Sequence, residues 1–446
     1  MGRPSHSQSL GLWSNGERVG RWTIPARGDM EVRYEEAWLH SRLGRPLSLS
    51  LPFTPHNDVL KGAAVAHYFD NLLPDSEAIR KRVAMRFKTG SVDSFCLLRA
   101  IGRDCVGAIQ LLNEDETPTD INKIEAVPVD AESIERHLLG VVSPGRFGDE
   151  LDPNDDFRIS LAGAQEKDAY LWRNGGWHKP RGTTPTTHIF KLPLGLMGGR
   201  QADFSTSVDN EWLCLKLLKA YGLPTAEATI ETFGKQRVLV VERFDRRMSE
   251  HGQLYRLPQE DFCQATATSP LLKYENEGGP GLMKLFSLLQ QSANAAEDMR
   301  TLMAAQVLFW LLRAPDGHAK NFSIQLLAGG AFRLTKMYDV MSAYPILGSG
   351  PNQWSPHEIK LAMALLGKNK HYGMATIQRR HFNSTAQKVG FGRDAEGVIQ
   401  ELIARTPGVI AQVREQLPKD FSPLVAERVL DGLQAAVNAL EAMPAT

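Results

Sequence analysis

The pattern of apolar and polar positions divides the chain into a part that favours strands and a part that favours helices. Between residues 156 and 246, short apolar runs alternate with turn residues, which is typical of strands in a sheet. From residue 257 onward apolar residues recur at helical spacing, and residues 301–313 are apolar on nearly every side, which predicts a buried helix. A mixed β/α lobe followed by a helical lobe, with a cleft between them, is therefore expected.

A polar loop directly after the predicted helix carries the most informative residues. Pro315 ends the helix, and Asp316 and Asn321 follow it. Two β-prone runs around a Gly-Gly pair then predict a hairpin, with Asp339 just beyond it. An Asp, an Asn five residues on and a second Asp beyond a hairpin form the polar skeleton of a protein-kinase catalytic centre. Each residue alone is more often an ordinary turn former, but the three in this order match the catalytic template.

In kinases the first Asp of such a set orients or deprotonates the attacking hydroxyl, and the Asn and the second Asp hold Mg²⁺. Asp316 is the corresponding candidate here, and Asn321 and Asp339 are the candidate metal ligands. The expected mechanism is in-line transfer of the γ-phosphoryl group from Mg·ATP, with positioning and metal electrostatics supplying most of the catalysis.

A loop in the strand-rich part is a candidate for binding phosphate. Residues 157–161 and 169–172 each resemble a strand, and several residues of the loop between them are small. Small side chains let backbone N–H groups approach phosphate oxygens, and Lys167 can add a positive charge. The loop residues are Ala162, Gly163, Ala164, Gln165, Glu166 and Lys167. Only one of them is glycine, so a plain hairpin with a solvated lysine stays open on local grounds.

Lys191 is a charged residue within an otherwise apolar strand, residues 188–193. Burying a lysine is costly unless it is paired, and kinases place such a lysine on a strand to hold the α- and β-phosphates. Glu211, in the first turn of a helix that begins after Ser207, is a candidate partner, although it can equally stabilise the N-terminus of that helix. A lysine at the sheet edge with its ammonium group in water is the alternative.

A buried strand at residues 238–241 leads directly into Glu242, Arg243 and Phe244. A strand that leaves the β lobe toward the helical lobe is where a kinase hinge presents backbone groups to adenine. Glu242 and Phe244 would act mainly through their main chains, and the Phe244 ring can also pack against the adenine base. A connecting loop with a salt-bridging Glu242 fits the local pattern equally well.

Composition and charge exclude several other classes of protein. At 446 residues the chain is long enough for two or three sub-domains, and its 42% apolar and 23% charged content is that of a globular protein. A net charge of zero argues against autonomous binding to nucleic acid or to a membrane surface. No apolar run approaches the roughly 18 residues of a transmembrane helix. The four cysteines lack metal-type spacing, which indicates reduced thiols, so a cytoplasmic protein is expected.

These residues and the stretches around them resemble the HipA family of bacterial serine/threonine-kinase toxins. The matching stretches run in order from the N-terminal region to the catalytic centre. They are RPLSLSLP (45–52), FDNLLPDS (69–76), IGRDCVGA (101–108), FRISLAGAQEK (157–167), TPTTHIFKLP (184–193), VDNEW (208–212), VERFDRR (241–247), RLPQEDFCQ (256–264), GGPG (278–281), DGHAKNFS (316–323) and YDVMSA (338–343). The later stretches carry the candidate chemistry, so the resemblance reaches the residues that matter most.

The resemblance implies a role for each candidate residue. Asp316 would be the catalytic residue, and Asn321 and Asp339 would bind Mg²⁺. Residues 162–167 would contact the phosphates of ATP together with Lys191. The other nucleotide contacts would come from the adenine hinge, Glu242, Arg243 and Phe244, and from His318, Ala319, Lys320, Asn321, Tyr338 and Asp339.

Ser160, just before the phosphate loop, matches a serine that the family autophosphorylates. In the family that modification displaces the loop and inactivates the kinase, because about two negative charges beside the phosphate cradle repel ATP. On local evidence alone, the Ser160 hydroxyl would simply bond to the backbone at a strand end.

The activity implied by the resemblance is phosphorylation of a serine on a translation component. The implied target is glutamyl-tRNA synthetase, or another aminoacyl-tRNA synthetase as in some relatives, and halted charging would stop growth and promote persistence. The implied partner is a HipB-type helix-turn-helix antitoxin, which neutralises the toxin and carries it to operator DNA. DNA contact is thus expected only through that complex, and no membrane contact is expected.

The expected fold class is α+β. It is a two-lobed kinase-like fold with a mixed β/α N-terminal lobe, an extra N-terminal sub-domain and an all-helical C-terminal lobe. The predicted divisions are 1–115 for the HipA-type sub-domain, 116–246 for the β-rich kinase lobe with phosphate loop and hinge, and 247–446 for the helical lobe with the catalytic loop. Two other functions stay open: a small-molecule phosphotransferase of kinase-like fold, and a non-catalytic corepressor that binds ATP for stability.

Overall fold

The computed structural model describes residues 6–142, 160–163, 165, 167–197 and 201–445. Its strands are β1 Gln8–Ser14, β2 Glu17–Ile24, β3 Glu31–Tyr34, β4 Leu60–Lys61, β5 Gln110–Asn113, β6 Ala126–Pro128, β7 Lys167–Arg173, β8 Gly176–Pro180, β9 His188–Lys191, β10 Leu196–Met197, β11 Ala202–Asp203, β12 Ala228–Phe233, β13 Gln236–Glu242, β14 Arg246–Met248, β15 Leu254–Arg256, β16 Gln259–Asp261, β17 Ser323–Leu326, β18 Phe332–Leu334, β19 Lys360–Leu366 and β20 Lys370–Gly373. Its helices are α1 Glu36–Leu39, α2 Ala63–Asp70, α3 Glu77–Phe87, α4 Ser94–Ile101, α5 Ala131–Val142, α6 Ser207–Ala220, α7 Phe262–Ala265, α8 Leu282–Leu289, α9 Ala295–Leu311, α10 Arg379–Lys388, α11 Glu396–Glu415 and α12 Pro423–Ala442. No helix within these ranges is long and apolar enough to cross a bilayer.

A five-stranded antiparallel sheet, ordered β4-β3-β2-β1-β5, forms the N-terminal sub-domain. Its first hairpin turns at Asn15 and Gly16, which both have the positive φ that a tight hairpin turn needs. The ring of Trp22 on β2 stacks on Phe69 of α2, with 3.8 Å between ring centroids. Phe95 of α4 closes the same core at 4.9 Å from Trp22. The sub-domain therefore has a hydrophobic core of its own.

A six-stranded antiparallel sheet, ordered β12-β13-β9-β7-β8-β6, forms the β lobe. Helix α5 packs on it over a core that includes Tyr170, Phe190 and Phe233. Helix α6 packs against β12 and β13 and joins the core of the second lobe. Because β7 and β9 are antiparallel neighbours, Lys167 and Lys191 lie directly opposite each other on one face of the sheet.

The C-terminal lobe is mainly helical rather than all-helical, which corrects one detail of the predicted fold. Helix α9 runs through its centre with residues 302–312 buried, and α11 and α12 pack against it. The lobe also contains small sheets made of β14–β15, β16–β17–β18 and β19–β20. Strand β19 is apolar after its first residue, Lys360, so its periodicity could not be told from that of a buried helix. Strands β14, β15 and β16 are too short to leave a pattern.

The local elements around the predicted loops are mostly present. The buried helix expected at 301–313 is α9, which begins earlier, at Ala295. The hairpin expected around Gly329 and Gly330 is β17–β18. The strand expected at 157–161 falls largely outside the described residues, and its last two positions, 160 and 161, are not in a strand. Within the described part of the chain, β7 pairs with β8 and β9.

Candidate active site

The loop that carries Asp316 lies tightly against the end of α9. A Cβ atom at Gly317 would lie 2.2 Å from the ring of Phe309, so only glycine lets the loop approach the helix this closely. The loop then closes on itself. The carbonyl of Asp316 accepts hydrogen bonds from the His318 N–H at 2.9 Å and from the Asn321 side-chain amide at 2.7 Å. The second bond occupies the amide nitrogen of Asn321, which leaves its amide oxygen as the atom suited to a cation.

Asp339 lies on a short irregular segment beyond β18. Backbone hydrogen bonds from Met337 to Pro224, at 2.7 Å, and from Ala226 to Met337, at 2.9 Å, hold that segment against the residues before β12. Asp339 has a φ of 58°, in the left-handed region that Asp adopts more readily than most residues. Its carboxylate meets Lys191, whose Nζ lies 2.7 Å from Asp339 Oδ1.

Lys191, at the end of β9, joins the two lobes through a buried ion pair with Glu211 and a partly buried one with Asp339. Its Nζ is 2.7 Å from Glu211 Oε1 on α6 and 2.7 Å from Asp339 Oδ1, so the carboxylate partner suggested by the sequence is present. Burial works to lower the pKa of Lys191, but the carboxylates of Asp339 and Glu211 outweigh it and raise that pKa above its ordinary value. Burial works to raise the pKa of Asp339, but Lys191 and Lys167 hold it well below the usual range. Lys191 is therefore an ammonium group and Asp339 a carboxylate at neutral pH.

Lys167 begins β7 and closes the phosphate loop. Its Nζ donates a hydrogen bond to the carbonyl of Ala162. A Cβ atom at Gly163 would lie 2.7 Å from this Nζ, and Gly163 has a φ of 107°, so the position favours glycine for both reasons. Burial, reinforced by the charge of Lys191, lowers the pKa of Lys167 to about 8. The loop thus brings a second cation close to Lys191.

The described part of the phosphate loop docks on the N-terminal sub-domain. The Ser160 hydroxyl donates to the Leu72 carbonyl at 2.8 Å, and the Asp75 N–H donates to the Gly163 carbonyl at 3.0 Å. Ser160 is fully buried in this arrangement. The stretch 69–76, which stands out in the sequence only as a match to the family, therefore forms the seat of the loop.

The hinge segment follows β13, and some of its backbone donors are already occupied. The N–H groups of Glu242 and Arg243 donate to neighbouring carbonyl groups, each at 2.8 Å. A base in the cleft would therefore meet the carbonyl groups of this segment or the N–H of Phe244. The ring of Phe244 lies 5.8 Å from that of Tyr338, and both residues line the cavity between the lobes.

The guanidinium group of Arg243 belongs to a buried charge cluster that ties the hinge to the N-terminal sub-domain. Asp104 lies at its centre, 3.1 Å from Arg243, 2.9 Å from Arg246 and 3.2 Å from Arg256. Asp245 holds Arg243 from the other side at 2.8 Å. Burial works to raise the pKa of Asp104, but the three arginines hold that carboxyl well below its usual range. A nucleotide contact by Arg243 would therefore come from its backbone.

One cavity between the lobes collects most of the predicted site residues. Asp316, Asn321 and Asp339 all line it together with Lys167 and Lys191. The other predicted residues on its wall are Ala162, Gly163, Gln165, Glu242, Arg243, Phe244, His318, Lys320 and Tyr338. Most of the predicted site residues, although far apart in the sequence, thus lie on a single cleft.

Two predicted residues within the described part of the chain are not part of this wall. Ala319 and Ser160 are fully buried and do not line the cavity. Ala164 and Glu166, both predicted to bind ATP, lie outside the described residues.

Lys320 lines the cavity, but its ammonium group joins the catalytic loop to the N-terminal sub-domain. Its Nζ lies 2.7 Å from Asn71 Oδ1 and 2.9 Å from Asp261 Oδ2. Burial works to lower the pKa of Lys320, but Asp261 and Asp75 outweigh it and raise that pKa. A nucleotide contact by Lys320 would therefore use its backbone or its aliphatic atoms.

The donor set of the cavity fits a magnesium nucleotide. The amide oxygen of Asn321 and the carboxylate of Asp339 are hard ligands, and Mg²⁺ commonly takes only one or two protein ligands beside phosphate oxygens. Lys167 and Lys191 supply positive charge for the phosphates. The buried Nδ1 of His318 has no hydrogen-bond partner within the described part of the chain, and a polar ligand in the cavity would supply one.

Two residues beside Asp316 carry no signal of function in the sequence. The Tyr274 hydroxyl donates a hydrogen bond to Asp316 Oδ1, and its ring meets His318 edge to face at 5.0 Å between centroids. Lys273 forms an ion pair with Asp75 at 2.9 Å. Lys273 and Asp316 line both the nucleotide cavity and a second cavity beside it. The only nearby signal is the matching stretch GGPG, a few residues further on.

Known proteins resemble this chain in sequence over most of its length. A family model for the HipA-like C-terminal domain matches residues 159–410, and a model for the HipA N-terminal domain matches residues 10–112. The Y4mE protein of Sinorhizobium fredii is 33% identical over 413 residues, spanning 91% of this chain and 92% of that protein. The serine/threonine-protein kinase toxin HipA of Shewanella oneidensis is 26% identical over 414 residues, spanning 90% of this chain and 88% of that protein.

A solved structure resembles the whole fold. It contains the HipA and HipB toxin–antitoxin system of Shewanella oneidensis with operator DNA, and it superposes with a TM-score of 0.78 at 24% identity over 97% of both chains. The two-lobed kinase-like fold predicted from the sequence is thereby confirmed. Because the C-terminal family model alone spans more than half of the chain, and the N-terminal model accounts for most of the first sub-domain, this chain belongs to the HipA family of serine/threonine-protein kinase toxins.

Proposed function

We propose that this protein is a growth-inhibiting toxin that acts as a Mg-ATP-dependent protein kinase on a serine of another protein. The observation that carries the proposal is the convergence of Asp316, Asn321 and Asp339 with Lys191 on one cavity between the lobes. Phosphoryl transfer needs this set in one cleft, because its catalysis is mostly positioning and electrostatic stabilisation. Membership of the HipA family supports the same activity.

Each side chain of the cavity has a task that its geometry suits. The Asp316 side chain is 42% exposed, so a substrate hydroxyl can reach its carboxylate. Lys191 is fixed between Glu211 and Asp339, where its charge can hold the α- and β-phosphates. Held by Asn321 and Asp339, Mg²⁺ would neutralise charge on the phosphate oxygens. The serine oxygen bonds to the γ-phosphorus, the bond from that phosphorus to ADP breaks, and Asp316 takes the serine proton.

A small-molecule phosphotransferase of kinase-like fold is the alternative, and the acceptor distinguishes the two. The protein is incubated with γ-labelled ATP and a dialysed bacterial extract, to which the small-molecule fraction is added back in a second reaction. We expect a labelled protein band in both reactions. A small labelled product with no protein band would contradict the proposal and support the alternative.

We further propose that the target is an aminoacyl-tRNA synthetase, most directly glutamyl-tRNA synthetase, and that the protein works in the cytoplasm with a HipB-type antitoxin. Family membership motivates the target, and the HipA–HipB–operator DNA assembly of the solved relative motivates the partner and its link to DNA. Phosphoproteomics after induction, with and without a HipB-type helix-turn-helix protein, tests both. We expect one serine of a synthetase to gain phosphate only without the antitoxin. Phosphate gained solely on other proteins would contradict the target.

We also propose that Ser160 is autophosphorylated and that the modification switches the kinase off. Its hydroxyl is buried and donates to the Leu72 carbonyl. A phosphoserine cannot donate this bond, and it would place about two negative charges against a carbonyl oxygen. The phosphate loop would therefore have to leave its seat on the N-terminal sub-domain.

Substitution of Ser160 tests this link between the seat of the loop and ATP binding. Ser160→Asp places a charge in the buried site, so binding of a non-hydrolysable ATP analogue should weaken by about tenfold or more, measured by titration calorimetry. Ser160→Ala, the matched control, removes one hydrogen bond worth about 1 kcal/mol and should keep the affinity within about threefold. Equal affinities for the two variants would contradict the proposed switch.

The low pKa of Lys167 predicts nucleotide binding that weakens as the pH rises. Because its pKa is lowered to about 8, the free enzyme loses this proton near that pH, whereas bound phosphates keep the amine protonated. Affinity for the ATP analogue should therefore fall by about tenfold from about pH 7 to about pH 9. The Lys167→Met variant should bind the ATP analogue more weakly at pH 7, and its affinity should no longer show the fall with pH that comes from Lys167. An unchanged slope in that variant would assign the titration to another group.

A further inference from the structure

Three consecutive residues, Lys273, Tyr274 and Glu275, each contact a different part of the protein. Lys273 Nζ lies 2.9 Å from Asp75 Oδ2 of the N-terminal sub-domain. The Tyr274 hydroxyl donates to Asp316 Oδ1 on the catalytic loop. Glu275 contacts the sheet formed by β19 and β20. Tyr274 is thus the central residue of a segment that is fixed on both sides.

The anchor on the far side of Tyr274 is a buried carboxylate. Glu275 accepts a hydrogen bond from the Ala364 N–H of β19 at 2.6 Å and lies 2.8 Å from Lys370 Nζ on β20. A Cβ atom at Gly281 would lie 2.2 Å from this carboxyl group, so the last glycine of the GGPG stretch leaves room for it. The position of the Tyr274 backbone is therefore set by contacts outside its own turn.

The Asp316 carboxylate is engaged on one oxygen while its side chain stays accessible. Oδ1 accepts the Tyr274 hydroxyl, and His318 Nε2 lies 3.7 Å from the same oxygen. The side chain of Asp316 is nevertheless 42% exposed. Burial, reinforced by Asp316, raises the pKa of Tyr274 above its ordinary value, so the phenol keeps its proton and donates it in the hydrogen bond. The tyrosine therefore engages one carboxylate oxygen and leaves the other for an acceptor.

We propose that Tyr274 is a positioning residue for phosphoryl transfer: its hydroxyl fixes the side-chain rotamer of Asp316 so that the second carboxylate oxygen faces the acceptor serine. This inference rests on the proposed kinase function. A half-exposed carboxylate on a loop has several rotamers available, and a small misplacement of a catalytic group costs much of its rate. Tyr274 and Asp316 both line the second cavity, which shares Lys273 and Asp316 with the nucleotide cavity and would hold the acceptor serine.

Tyr274→Phe removes a single oxygen atom and tests the proposal. The probe is transfer from γ-labelled Mg-ATP to the proteins of a dialysed bacterial extract. We expect kcat to fall by about tenfold to a hundredfold, since the variant loses one hydrogen bond to a charged group. The KM for ATP should stay within about twofold, because Tyr274 does not line the nucleotide cavity. A purely structural role would not produce this split between kcat and KM.

Tyr255→Phe is the matched control. Its hydroxyl also donates to a side-chain oxygen, that of Gln253, but Tyr255 lines neither cavity. The control should keep kcat within about twofold of the wild type. Thermal melting of both variants shows whether the fold is retained. If Tyr274→Phe does not fold, Glu275→Gln keeps the tyrosine but weakens its anchor, and it should lower kcat several-fold.

Three results overturn the positioning role: a Tyr274→Phe enzyme with wild-type kcat, a faster enzyme, or one that loses only ATP affinity. A faster enzyme would mean that the phenol blocks Asp316. In the case of the second variant, wild-type kcat in a folded Glu275→Gln enzyme would overturn it. A wild-type protein that labels no protein contradicts the kinase proposal itself, and this failure is seen before any variant is measured.

Discussion

Asp316→Asn should lower the rate of phosphoryl transfer by about 10²–10⁴-fold, the range that a positioned acid–base group contributes. The amide keeps the shape of the side chain and can still accept the Tyr274 hydrogen bond, but it has neither the charge nor the basicity of the carboxylate. The cations suited to the phosphates are Lys167 and Lys191, so affinity for a non-hydrolysable ATP analogue should stay within about threefold. Labelled-ATP assays measure the rate, and titration calorimetry measures the affinity.

The same variant separates the kinase from a non-catalytic corepressor in cells. Induction of Asp316→Asn should not inhibit growth, while the protein should still bind the proposed HipB-type antitoxin. Asp115→Asn makes the same chemical change on an exposed turn and should keep both transfer and growth inhibition at the wild-type level. Growth inhibition that survives in Asp316→Asn would support the corepressor that binds ATP only for stability.

Asp104→Ala should lower the free energy of unfolding by about 3–5 kcal/mol, the range found when one partner of a buried ion pair is removed. The substitution leaves Arg243, Arg246 and Arg256 with Asp245 as the remaining carboxylate of the cluster, and all of these residues are less than one-tenth exposed. Buried guanidinium groups cannot lose their charge at neutral pH. The cost of leaving this positive charge without its carboxylate partner therefore lowers the stability of the fold. Urea unfolding followed by tryptophan fluorescence measures the change.

Two further variants and the pH dependence test whether the loss of stability comes from removing the negative charge of Asp104. Asp104→Asn keeps hydrogen-bond acceptance and should be less destabilising than Asp104→Ala. Glu227→Ala removes an exposed ion pair with Lys219 and should change stability little. Because the pKa of Asp104 is lowered in the fold, its contribution is present above about pH 4 and is lost progressively below that pH. A loss in Asp104→Ala no larger than in Glu227→Ala would contradict the structural role of the cluster.

The sequence predicted the parts of the site that depend on near neighbours. Helix α9 follows from a largely apolar run that stops shortly before Pro315, and the β17–β18 hairpin follows from a Gly-Gly pair between β-prone residues. The order of Asp316, Asn321 and Asp339 is likewise read directly from the chain. The sequence also suggested the Lys191–Glu211 pair, because a lysine buried in an apolar strand is costly without a carboxylate partner.

The amino-acid sequence by itself thus determined the local elements, the candidate catalytic residues and, through its matching stretches, the family. Only the tertiary structure decided which distant segments meet: Asp104 with Arg243, Lys273 with Asp75, and Tyr274 with Asp316. The tertiary structure also decided that residues 360–366 form strand β19, because they pair with β20, whereas their apolar pattern fits a helix equally well. The physical reason is that periodicity, caps and turns are properties of neighbours along the chain. A contact between distant segments is decided by packing and charge pairing as the chain folds. It leaves no periodic pattern in the local sequence.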